Sequence, residues 1–192
     1  MEISIVTQLF KQRAVRIAKS YIYILTLLPA IFMYMPETNA AGRHADINME
    51  ALLPETLGGV ALTVESQAGT DLTVQSEPFD LFLKNLNRTR ADFTLASAYA
   101  QGGLKAAVGA WRVKGADPAL LLPGFQATIQ ASSKTQLAKA SEAIGGRTVI
   151  RIGDPGQLTQ GPLYVYVNGD TLYFVQTPER PLALEAIGKL PK

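Results

Sequence analysis

The chain has 192 residues, 47% of them hydrophobic, with one histidine and no cysteine. That is enough chain to bury a sizeable core without a staple, and the composition excludes disulfide frameworks, thiol nucleophiles, cysteine-held metals and paired-histidine zinc sites. The net charge of +2 resides in residues 1–40, where Lys11, Arg13, Arg16 and Lys19 outnumber Glu2 and Glu37; the remainder carries fourteen side chains of each sign and no basic stripe for nucleic acid.

No charge occurs between Lys19 and Glu37, and residues 20–36 read SYIYILTLLPAIFMYMP. A basic start, an apolar stretch and small residues at Thr38-Asn39-Ala40 form the order of an export signal. Residues 1–40 are therefore expected to be a signal peptide cleaved after Ala40 or an uncleaved single-pass anchor. Seventeen uncharged residues lie at the short end of what crosses a bilayer. Either reading places the body outside the cytoplasm, with membrane contact confined to residues 20–36.

Residues 41–51 read as a polar linker and 52–192 as a single domain. A β-branched, alternating run at 60–66 predicts a strand, and Phe79, Phe82, Leu83 and Leu86 behind Glu77-Pro78 predict a helix. Two hairpins follow. In the first, residues 93–100 and 104–113 flank Gly102-Gly103, and a two-residue turn there sets Leu95 opposite Ala110. In the second, a turn at Asn168-Gly169 sets Val165 opposite Leu172 and Leu163 opposite Phe174, sorting those four onto one face and Tyr164, Tyr166 and Tyr173 onto the other. Residues 147–152 add a strand, with Gly145-Gly146 as a break before it. Each hairpin precedes a helix start, at Asp117-Pro118 and at Thr177-Pro178-Glu179; Pro123-Gly124 is expected to kink or shorten the first. Residues 130–139 read as a connector. The expected fold is α+β: a largely antiparallel sheet of five or six strands built from hairpin-then-helix units, with helices packed on one face.

Motifs for chemistry are sparse. There is no phosphate loop, dinucleotide-binding glycine pattern, nucleophile elbow or calcium loop, and the pattern calls for no metal or cofactor. His44 falls in the polar linker, without an orienting partner in the sequence. Asp154 and Asp170 stand in loops beside strand ends and are the candidate pair for a carboxylate-based extracytoplasmic hydrolase, although Gly-Asp-Pro-Gly and Asn-Gly-Asp favour Asp for turn reasons alone. Tyr164, Tyr166 and Tyr173 would line an uncovered sheet face suited to a protein, peptide or glycan, with Trp111 beside small residues at its margin. The leading expectation is an exported, non-catalytic domain that binds through a sheet surface. The alternatives are the hydrolase and a membrane-anchored structural or sensory domain.

Overall fold

The structure is a computed structural model that describes residues 44–72, 76–100, 104–133, 135–153 and 161–192. The export segment, the Gly102-Gly103 turn and Asp154 lie outside the described residues. In chain order the elements are α1 (Ile47–Glu50), β1 (Thr56–Leu57), β2 (Val60–Ala61), β3 (Thr63–Ala68), α2 (Glu77–Asn85), β4 (Phe93–Tyr99), β5 (Ala107–Val113), α3 (Pro118–Ser132), β6 (Lys139–Ile144), β7 (Arg147–Ile152), β8 (Leu163–Asn168), β9 (Thr171–Gln176) and α4 (Arg180–Lys189). The class is α+β. β1 and β2 form a small ribbon, and the other seven strands form one antiparallel sheet in the order β3-β4-β5-β9-β8-β7-β6.

The helices cover both faces of this sheet, not one. On the first face α2 and α3 bury Phe79, Phe82, Leu121 and Phe125 against Phe93, Leu95, Trp111, Val165 and Phe174. On the second, α1 and α4 bury Met49, Ala183, Ala186 and Ile187 against Ala96, Ala98, Val108, Ala110 and the three tyrosines of β8 and β9. Both faces are apolar, so both require a cover. The residues of 41–51, read as a linker, include α1: Asp46 caps it by accepting from the Met49 N–H at 3.0 Å, and Met49 is fully buried.

The first hairpin is one residue out of the expected register. Leu95 faces Trp111, and Ala96 faces Ala110. A one-residue slip exchanges the faces of a strand, and here it gathers the large Phe93, Leu95, Trp111 and Val113 under α2 and α3 while Ala96, Ala98 and Ala110 meet the tyrosines. The second hairpin is displaced by two residues, which preserves the faces: Val165 meets Phe174, and Asn168 closes on Thr171 around Gly169-Asp170. Gly169 takes φ +59° and Asp170 takes no positive φ, the sign pattern of a turn with glycine first.

Three further details differ from expectation. Gly145-Gly146 is a true two-residue turn, with φ +61° and +79°, and it joins β7 to the unforeseen strand β6. α3 runs unbroken through Pro123, which forfeits the bond its missing N–H would make to the Ala119 carbonyl. Gly124 lets the Phe82 ring approach the α3 backbone.

Candidate functional site

The tyrosine face is covered. Tyr164, Tyr166 and Tyr173 expose 3%, 5% and 3% of their surface, so the expectation of an uncovered aromatic patch on this hairpin is corrected. Tyr166 and Tyr173 stack with ring centroids 5.2 Å apart. The Tyr166 hydroxyl donates to the Pro191 carbonyl at 2.8 Å and accepts from Arg147 at 2.9 Å. Arg147 also donates to the Ile187 carbonyl at 2.7 Å, tying the end of α4 to the sheet. Burial pushes the Tyr166 phenol up to about 12, partly opposed by the Arg147 charge, and burial raises Tyr173 as well. These are structural tyrosines. Trp111 likewise lies in the core, edge-on to Phe79, Phe93, Phe125 and Phe174 with centroids 5.0–6.1 Å away.

Asp170 locks the turn between β8 and β9. Its carboxylate accepts from the Gly115 N–H at 3.2 Å and its carbonyl from the Val113 N–H at 3.0 Å. Asp154, the other member of the candidate carboxylate pair, lies outside the described residues.

His44 has a partner after all: its Nδ1 lies 3.0 Å from Glu50, whose other oxygen accepts from the buried Ser66 hydroxyl. The carboxylate sits between the histidine and the serine, whereas a nucleophilic triad needs the histidine in the middle. The cluster instead fastens the chain to β3. The Ala45 N–H reaches the Ser66 carbonyl at 3.2 Å, the Asp46 N–H reaches the Ser66 hydroxyl at 2.7 Å, and Asp46 pairs with Arg112 on β5. Among the described residues no group of three or more acidic or histidine side chains could hold a metal ion, and no helix is long and apolar enough to cross a membrane.

What remains is the far edge of the sheet. The pair Ile144–Arg147 flanks a two-residue turn and is therefore hydrogen-bonded; Gly153 N–H to Ala138 carbonyl, at 2.7 Å, continues the same alternation. Residues 140, 142 and 144 thus direct their main-chain groups to β7, while Lys139, Ser141 and Ala143 direct theirs away from it. Among the described residues no strand pairs with that outer side. Lys139, Ser141 and Ala143 are exposed, and β6 carries no proline and no bulge. Glu142 turns onto the second face, 2.9 Å from Arg151 and 2.8 Å from Arg180. The opposite edge, β3, is closed by residues 44–46. The sequence reading missed β6 because Lys-Ala-Ser-Glu-Ala-Ile is weak in strand formers; the Gly-Gly pair directly before the β7 run was the available signal.

No family model matches the chain, no curated protein matches it, and no solved structure matches it.

Proposed function

We propose that this is an exported, non-catalytic binding domain that recognises an extended protein segment by strand addition at β6. The observation that carries the reading is the edge: three successive outward residues, Lys139, Ser141 and Ala143, with small side chains at the last two and, among the described residues, no proline, bulge or paired strand on that side. Main-chain hydrogen bonds supply affinity in such sites, and alternate side chains supply selectivity. Edges left in this condition pair readily, which is why folds usually blunt them. Export rests on the basic-apolar-small order of residues 1–40.

Two measurements test the parts separately. Intact mass and N-terminal sequencing of soluble and membrane fractions should give a chain beginning at Ala41 outside the cytoplasm or a full-length chain in the membrane; a full-length chain in the cytosol refutes export. For recognition, Ser141→Pro removes an outward N–H without touching a bond to β7, so the fold should persist. Displayed extended peptides selected on the wild-type chain should lose binding to this variant. Undiminished binding places recognition elsewhere.

A further inference from the structure

We infer that a polar corner on the first face of the sheet, shared by β3, β4, β5 and β9, is a binding site for a small organic cation: a primary amine carrying a second hydrogen-bond donor. The strand registers assemble it. Ser97 lies between Glu65 and Gly109, and in the next row Tyr99, Ala107 and Gln176 stand side by side. By alternation all of them share the face of Leu95, Trp111 and Phe174. Glu65, Ser97 and Gln176 expose only 4%, 2% and 3% of their surface, although polar side chains are seldom so deeply buried. Ala107 is buried between Tyr99 and Gln176, yet among the described residues it stands outside the two apolar cores that hold every other buried apolar side chain.

Two buried atoms in this corner have no partner: among the described residues nothing hydrogen-bonds to the Ser97 Oγ or the Gln176 Oε1. The Gln176 Nε2 already donates to the Gly161 carbonyl at 3.4 Å, so its oxygen needs a donor from elsewhere. Native folds seldom leave such atoms bare, because each forfeits its hydration on burial. The Tyr99 hydroxyl donates to Glu65 at 2.7 Å, holding the carboxylate in the row of Ser97. The corner therefore presents acceptors around a negative charge, which repels an anion and selects an ammonium group. Directly opposed side chains stand about 5 Å apart, so one ammonium reaches both Glu65 and Ser97. Ser97 and Gln176 are two strands and two residues apart, about 12 Å between Cα atoms. An amine whose short chain crosses the Ala107 methyl and ends in a hydroxyl or amide at Gln176 satisfies both orphaned atoms. The β6 edge lies three strands beyond β9, so this site is separate from strand addition.

The test uses three probes that share a four-carbon chain with a terminal hydroxyl and differ at the other end: an ammonium (aminobutanol), a hydroxyl (butanediol) or a carboxylate (hydroxybutyrate). Each is titrated into the full chain, in whatever processed form its host leaves, and followed by nuclear magnetic resonance. Aminobutanol should shift the Ser97 and Gln176 signals and bind about tenfold more tightly than butanediol, and hydroxybutyrate should leave them unmoved. Two variants separate binding from folding. Ser97→Ala deletes an unpartnered hydroxyl, so the ligand-free protein should melt no lower than the wild type while its affinity for aminobutanol falls about tenfold. Glu65→Gln keeps an oxygen for Tyr99 but removes the charge, and should bring aminobutanol level with butanediol. A Ser97→Ala protein that melts well below the wild type shows its hydroxyl bonded within the folded chain and overturns the proposal. So does aminobutanol that shifts neither residue at tens of millimolar, or that binds the wild type no better than butanediol; ordered water alone then completes the corner.

Discussion

Gly109 on β5 and Phe174 on β9 are directly opposed, and the phenyl ring lies across the glycine. A Cβ at position 109 would overlap that ring and come within 2.9 Å of the Ala96 carbonyl, with backbone on one side and a wedged aromatic on the other. Gly109→Ala should therefore destabilise the protein by about 1–3 kcal/mol, and Phe174→Leu in the same chain should recover part of that loss in denaturant titrations. Tyr166 provides a second handle. Its folded-state value of about 12 lies above the ordinary 10, so the neutral phenol is favoured by folding. The corresponding stability is complete below pH 10 and is lost as pH climbs toward 12, by about 2–3 kcal/mol. Chemical denaturation from pH 9 to 12 should show this fall, and Tyr166→Phe should flatten it. Neither residue's role could be assigned beforehand. A glycine inside a strand signals close approach without naming the neighbour, and an alternating tyrosine pattern does not reveal whether the second face is covered.

At the level of elements, α4 is held at its end by a side chain from β7. Arg147 donates to the carbonyls of Ile187 and Leu190 and to the Tyr166 hydroxyl, occupying acceptors that a helix C-terminus leaves open. Arg147→Ala should lower stability by about 2–3 kcal/mol, and amide exchange should quicken in α4 before it does in β4 and β5. The elements themselves were legible where apolar periodicity and caps coincided: Phe79, Phe82 and Leu83 marked α2, and Asp117-Pro118 marked the start of α3. Register was less so. In the β8–β9 hairpin an even displacement left every side chain on its expected face, but in β4–β5 an odd one exchanged the faces, because the connection through 100–106 is longer than the Gly-Gly pair implied. α1 was hidden because four residues cannot display a helical period. Its anchors, Arg112 and Ser66, come from strands distant in the chain.

Across the whole molecule, residues 63–113 contribute strands β3 to β5 and residues 139–176 contribute β6 to β9, and the two sets join in the sheet only at β5–β9. α3 leaves the first set and packs over β8 and β9 of the second, so the halves are clasped by a helix as well as by a strand pair. This strand order makes the molecule a two-piece assembly on one covalent thread. Chains covering 1–135 and 136–192, coexpressed, should reassemble through β5–β9 and α3 into a complex with the circular dichroism of the intact protein. Either piece alone should aggregate or remain unfolded. The same clasp implies an exchange hazard: a chain opened at the connector between α3 and β6 can accept α3 from a neighbour, making a swapped dimer whose core is indistinguishable from that of the closed monomer.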